Sequence, residues 1–351
     1  MQTMRWLPAG DLEKGSDKMK YHNSVLEIEP WVLEINLKKD MESFLEMQMR
    51  RRNIMPSGTR SIMYEYFNTK KKMLLKTPRK VVYSKAFQCP GEYQEALSQF
   101  EQSARMGKNL NIYLSDQIKK PEKADDLLND WNIYHFHLTR RFREDGFAKR
   151  SDYQIFAWVT NECIYMIQIY PHREAHLYCK KELLRIIEEN WPELLERFRI
   201  KDAVRLTVQL DDEQYEVLRD AHISSFVELG ENRVYGLVGG GYSSDGSSGE
   251  AVRLEQFWHN KLMLCEKVIK DNMDFISEEI RKRRSLENPI YEFKLWWISN
   301  SADRIRLIER NLYMGVEWFA VEGKLRIFTI EEELDFGESL EGGLCLLRAI
   351  K

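Results

Sequence analysis

Two histidines one residue apart, His135 and His137, sit in the stretch DWNIYHFHLTRRF (130–142), and His172 and His176 follow in IYPHREAH. The chain has seven histidines, and four of them fall between positions 135 and 176. An imidazole titrates near neutral pH, so it can take or give a proton under ordinary conditions. Directly after the HxH pair come Arg140, Arg141, Arg143, Lys149 and Arg150, and Arg173 follows His172. Guanidinium forks match pairs of phosphate oxygens. Imidazoles beside cations are what RNA cleavage without metal requires. The 2′-hydroxyl attacks the neighbouring phosphate, one group takes its proton, another protonates the leaving 5′-oxygen, and cations hold the extra phosphorane charge.

These side chains can cooperate only if strands bring them together. NIYHFHLT (132–139) alternates, with Tyr134, Phe136 and Leu138 on one face and Ile133, His135 and His137 on the other. Residues two apart in a strand project to the same side about 7 Å apart. DYQIFAWVT (152–160) and ECIYMIQIY (162–170) predict a tight antiparallel hairpin around residues 160–162. HLYCKKELLRIIEENWPELLERF (176–198) predicts a closing helix interrupted near Pro192. Three antiparallel strands in the right register would place His135, His137 and His172 on one face, and a slip of one residue would turn them away.

The segment SDYQIFAWVTNECIYMIQIYPHREAHLY resembles the C-terminal part of RelE/ParE-type bacterial toxins. There a strand, a tight turn and a second strand end in a His-Arg pair followed by a Tyr. On that pattern His172 and Arg173 stand at the pair and Tyr178 stands near the terminal Tyr. The resemblance covers residues 130–180. Within it the HxH pair is additional to the family pattern, a full helix follows Tyr178, and the chain is far longer than those toxins. The resemblance implies a metal-independent endoribonuclease with no cofactor, acting through His172, Arg173 and Tyr178, to which the chemistry of the HxH pair adds His135 and His137 as candidate catalytic residues. It also implies a bacterial toxin–antitoxin or antiviral setting, with RNA as substrate and a protein antitoxin as partner.

Other readings of the same residues stay open. HxH with HxxxH supplies four imidazoles, a donor set for zinc or another transition ion, with Asp130, Asp145, Glu162 and Glu174 nearby in sequence. A two-histidine phosphoesterase needs two H-x-[ST] strands. His137-Leu138-Thr139 and His222-Ile223-Ser224 fit the letters, although the second falls at a predicted helix end. The plainest alternative is a non-enzymatic protein whose histidines are partly exposed on a nucleic-acid- or partner-binding surface.

That last reading draws on a charge shift. Between Glu46 and Lys85 there are eleven Lys and Arg against two acids, interleaved with Tyr64, Tyr66, Phe67 and Tyr83. A basic segment with aromatics suits phosphate contacts and base stacking. The candidate nucleic-acid residues are Arg50, Arg51, Arg52, Lys70, Lys71, Lys72, Arg79 and Lys80 here, with Arg140, Arg141 and Arg143 after the histidines.

The remaining pattern predicts an α+β protein. A helical N-terminal region with the basic arm (46–85) is expected over 1–124. A small antiparallel sheet with its closing helix is expected over 125–200, and a C-terminal α+β domain over 201–351. Within these, helices are predicted after Pro30 to residue 50 and over 92–106, with a polar connector to about residue 127. Beyond residue 200 the pattern predicts a strand at 202–210, a helix at 211–222 and a hairpin at 225–240. A Gly/Ser loop at 239–249 could offer its amides to an anion. A long amphipathic helix is predicted over 250–284, its stripe including Phe257 and Trp258. A strand at 291–299, a short helix from Ala302 to Tyr313 and a strand pair turning at Glu322-Gly323 complete the expectation, before the acidic stretch EEELDFGE. No run approaches the roughly 18 apolar residues of a membrane span, and the first residues lack a signal-peptide core. Five widely spaced cysteines without CxxC argue for reduced thiols and a cytoplasmic protein.

Overall fold

The computed structural model describes residues 31–203, 205–230, 232–284 and 290–330, together with the strand at 343–345. In chain order the elements are β1 (Val32–Ile35), α1 (Leu37–Arg51), α2 (Ile62–Lys72), β2 (Lys80–Tyr83), α3 (Gln94–Arg105), α4 (Asp126–Trp131), β3 (Tyr134–His137), β4 (Tyr153–Val159) and β5 (Cys163–Pro171). They continue as α5 (Glu182–Asn190), α6 (Glu193–Glu196), α7 (Asp212–Asp220), β6 (Val227–Leu229), β7 (Arg233–Tyr235), α8 (Gly249–Asp271) and α9 (Met273–Arg283). Strands β8 (Ile290–Ser299), β9 (Arg304–Glu309), β10 (Met314–Phe319), β11 (Lys324–Thr329) and β12 (Gly343–Cys345) close the series. The fold is α+β. Contacts divide the chain into one unit of residues 1–48 with 256–351 and a second of residues 49–255. The expected boundaries at 124/125 and 200/201 both fall inside the second unit.

The second unit carries the histidines. Its four-stranded sheet has the order β2-β5-β4-β3, with β3, β4 and β5 antiparallel. The sheet is mixed rather than purely antiparallel, because β2, which the sequence pattern did not reveal, runs parallel to β5. Both faces are covered. On one, Phe136, Leu138, Ile155, Ala157 and Ile164 pack against Phe100 and Ala104 of α3 and against Tyr113 and Ile118. On the other, Ile133, Phe156, Trp158 and Ile167 pack against Leu183, Leu184, Ile186 and Ile187 of α5 and against Tyr215, Val227 and Tyr235. Burial on two sides explains why β4 and β5 read as nearly continuous apolar runs. The expected polar connector belongs to this core: Ile118 and Pro121 are buried, and α4 begins at Asp126.

In the first unit, β8, β9, β10 and β11 form a meander, with β1 parallel to β8 and β12 antiparallel to it. β1 corrects the expectation of helix directly after Pro30, and helix begins only at Leu37. β9 replaces the expected helix from Ala302. Its alternation puts Ile305 and Leu307 in register with Trp318 and Val316, while Arg306 faces Glu317. Arg304, Arg306 and Arg326 all contact the buried Glu317. The long helix is two, broken at Asn272, and its stripe is uneven. Trp258 is 6% exposed, but Phe257 is 39% exposed. The expected strand at 202–210 is absent from the described residues there, and Val208 is 63% exposed. The acidic stretch at 331–338 lies outside the described residues.

The Gly/Ser loop has an architectural role. Phe142–Ala148 and Tyr242–Ser248 close the same small hairpin. In each an aspartate carboxylate, Asp145 or Asp245, accepts the amide two residues on, and a glycine with positive φ follows it. Ahead of the second hairpin, the amides of Gly239 and Gly241 donate to the carbonyls of Asp130 and Asn129 at 2.8 Å each, at the end of α4. A Cβ on Gly239 would stand 2.3 Å from the Leu128 carbonyl oxygen. Gly239→Ala should therefore cost the fold about 2 kcal/mol or more in urea unfolding. Gly91→Ala, where a Cβ meets nothing within 4 Å, should be nearly neutral.

Candidate functional site

Strand register decides where the histidines point. His135 pairs with Phe156 and His137 with Gln154 between β3 and β4. Gln154 pairs in turn with Tyr170, and Phe156 with Gln168, between β4 and β5. Cross-strand partners share a face, so His135, His137, Gln154, Gln168 and Tyr170 project to one side. That side is the one packed by α5, and the polar residues occupy the end beyond its apolar cover. The amide of His172 donates to the Asp152 carbonyl at 2.7 Å, so the hairpin continues to that residue. Tyr178, in the turn Leu177–Cys179, closes the cluster. Its hydroxyl donates to Gln154 Oε1 at 2.9 Å, and its ring centre lies 5.2 Å from that of His135.

His137 is the most perturbed of these groups. It is 8% exposed. Burial, then the nearby His135, His172, Arg150 and Arg143, push its pKa down to about 4. At neutral pH it is an uncharged imidazole. The Nδ1 atoms of both His135 and His137 are buried without a hydrogen-bond partner. Nε2 is therefore the nitrogen each ring has for outside chemistry.

The structure brings His135, His137, His172 and Tyr178 together and leaves Arg173 at the rim. Arg173 is exposed, while Arg150 and Arg143 are among the charges that act on His137. His176 points elsewhere: its Nδ1 meets Glu216 of α7 at 2.6 Å, and that contact raises its pKa. Among the described residues no group of three or more His, Cys, Asp or Glu side chains is spaced to hold a metal ion. His222 follows α7 at a positive φ, outside any strand, so the second H-x-[ST] stretch lacks the geometry of a two-histidine phosphoesterase. Gln154 went unnoticed in the sequence. The signal was its place two residues before Phe156, which puts it opposite His137 once β4 is aligned.

The basic residues divide sharply. Lys72 and Arg79 are each 3% exposed. Lys72 donates to the carbonyls of Lys120 and Lys123 at 2.7 and 2.6 Å, and burial brings its pKa down to about 8. Arg79 donates to the carbonyls of Thr160, Leu75 and Thr77. Lys71 reaches the Gly239 carbonyl and the Glu250 carboxylate. These three are fold residues, which corrects their assignment to a nucleic-acid arm. Arg50, Arg51, Arg52, Lys70 and Lys80 are exposed. Arg140 pairs with Glu95, and Arg143 with Asp116 and Asp145, all at the surface. Arg141, Lys149 and Arg150 are also exposed, so the 140–150 hairpin carries a run of surface cations, of which Arg150 and Arg143 act on His137. The Gly/Ser loop amides are taken up within the fold, at Asn129, Asp130, Leu237, Ser224 and Tyr64.

Compared with known protein families, with curated proteins and with solved structures, the chain matches none.

A depressed imidazole pKa has a stability signature. Between pH 6.5 and about 4 the unfolded chain binds a proton at His137 that the folded chain refuses, so stability falls as pH falls through that window. The full loss is roughly 3 kcal/mol, at about 1.4 kcal/mol per pKa unit. His137→Gln should flatten urea-unfolding stability between pH 6.5 and 4 relative to the parent chain.

Proposed function

We propose that the histidine cluster on the β3–β5 face is the centre of an endoribonuclease that works without metal. The observation that carries this reading is His137: nearly buried, neutral at pH 7, and close enough to two more imidazoles and to Arg150 for each to perturb it. His137 Nε2 takes the proton of the 2′-hydroxyl. A 2′-oxygen–phosphorus bond forms, the bond to the 5′-oxygen breaks, and His172 returns a proton to that leaving oxygen. Arg150 faces the phosphate oxygens, while Tyr178 and Gln154 hold the rings in place. The products are a 2′,3′-cyclic phosphate and a 5′-hydroxyl. Arg141 and Lys149 extend the cationic track along the 140–150 hairpin. A bacterial toxin or antiviral role, with an antitoxin as partner, rests on the resemblance of residues 130–180.

One observation favours a second reading, in which the protein binds nucleic acid without cutting it. Two open depressions in the second unit border the basic hairpin, at Phe142 to Lys149, and the segment from His176 to Glu213. A surface of cations beside a shallow histidine face suits binding as well as cleavage.

Cleavage of single-stranded RNA in EDTA separates the two. The chain should release 2′,3′-cyclic phosphate ends. His137→Ala and His172→Ala should each lower the rate by about 10²-fold or more with RNA affinity nearly kept. The acid limb of the rate profile should fall near pH 4, where His137 gains its proton. An RNA mobility shift with no cleavage in any condition would leave the binding reading, and loss of activity in chelator would point to a metal hydrolase.

In either reading the 140–150 cations hold the phosphates. Replacing Arg141, Lys149 and Arg150 with Ala should weaken RNA binding and flatten its salt dependence by about one unit of slope per lost phosphate contact. Lys72→Ala should act on unfolding instead, because its donors serve the 120–123 turn.

A further inference from the structure

We propose that Asp130 and Arg219 form a positioning pair that sets Tyr178 against His135, an inference resting on the reading of the histidine cluster as a site. Arg219 lies on α7 with its side chain buried. Its Nε and Nη2 donate to Asp130 Oδ2 at 3.1 and 2.7 Å, and its Nη1 donates to the carbonyl of Tyr178. The guanidinium also lies over the Trp131 ring, 4.7 Å from its centre. Asp130 stands near the end of α4, where the chain turns at Asn132 into β3, the strand that carries His135 and His137. Tyr178 stands in the turn on the other side of the cluster. One guanidinium therefore ties the base of the histidine strand to the peptide of its aromatic neighbour.

The chemistry of the contact argues for more than packing. Helix α7 could be held to α4 by apolar side chains, since replacing a buried ion pair with well-packed hydrophobes is often neutral or stabilising. An apolar residue cannot grip a carbonyl in a fixed direction, whereas the arginine fork can hold a carboxylate and a carbonyl at once. What the grip fixes is useful to the site. The Tyr178 hydroxyl is committed to Gln154, the cross-strand partner of His137, and its ring covers His135. A shift of the Tyr178 peptide would release Gln154 and uncover His135 together. Arg219 touches none of the three clustered imidazoles, so its role is positioning and not catalytic.

The test is NMR of the histidine ring protons in the full chain. Tyr178→Ala sets the reference displacement of the His135 signals on loss of the neighbouring ring. Arg219→Lys keeps the charge but loses the fork, and it should reproduce at least half of that displacement while His259 stays in place. Asp130→Asn provides a second route to the same comparison. With RNA, Arg219→Lys should lower kcat about tenfold or more with KM nearly unchanged, the pattern of a lost transition-state arrangement. If the parent chain cleaves no RNA, the ribonuclease reading fails while the His135 signals still decide the positioning claim. Unmoved His135 signals in a folded variant, or loss of the fold in both variants, would reduce the pair to a core ion pair and overturn the proposal.

Discussion

The direction in which β3 leaves α4 controls the rest of the second unit. Helix α4 ends at Trp131, and Asn132 takes a left-handed conformation with φ of 57° while its amide closes on the Leu128 carbonyl. Asparagine tolerates that conformation better than most residues. The carbonyls just before it are held by the Gly239 and Gly241 amides, and the Asp130 carboxylate by Arg219. With that end fixed, β3 has one register on β4. Its alternation buries Tyr134, Phe136 and Leu138 against α3 and sends His135 and His137 to the α5 side. A slip by one residue would put three large apolar side chains among the polar groups, so the register is strongly specified.

The same constraint makes the histidine face an exception within its own sheet. Elsewhere the α5 side of β4 and β5 is filled by Phe156, Trp158 and Ile167. At the end of that face the sheet presents imidazoles, an amide and a phenol, with two ring nitrogens left without partners. Buried polar atoms without partners cost stability. A neutral His137 limits the cost, because a charged one would add a larger desolvation penalty. Such costly local arrangements tend to gather at functional sites. The Asp130–Arg219 pair adds to this picture, since it spends a buried charge pair on holding the edges of that face in place.

Much of this was legible in the sequence, and the reason is periodicity. The β3 alternation, the β4–β5 hairpin and the closing helix follow from local patterns, and so did the shared face of His135 and His137. The helix expected over 211–222 likewise appears as α7, which Asp211 and Gln214 begin with a capping box. What failed depended on distant partners. β1 is a strand because it pairs with β8 near the other end of the chain. β2 pairs parallel with β5, again without a local signal. Arg304 and Arg306 put charges at alternate positions of β9, which suits their contacts with Glu317 on a sheet face and hid the strand from an apolar count. The basic arm misled for a different reason. A tally of charges cannot see that Lys72 and Arg79 fold inward and end on backbone carbonyls, while exposed cations lie on the 140–150 hairpin.

The account turns on His137 being a neutral, buried member of a coupled imidazole cluster. The most direct measurement is a nitrogen-15 NMR titration of the histidine side chains in the intact chain from pH 8 to pH 3.5. The account predicts that His137 stays uncharged until about pH 4. It also predicts that His137→Gln shifts the ring signals of His135 and His172. Titration of His137 near 6.5, with the other two rings indifferent to its removal, would place the three histidines apart and contradict the site.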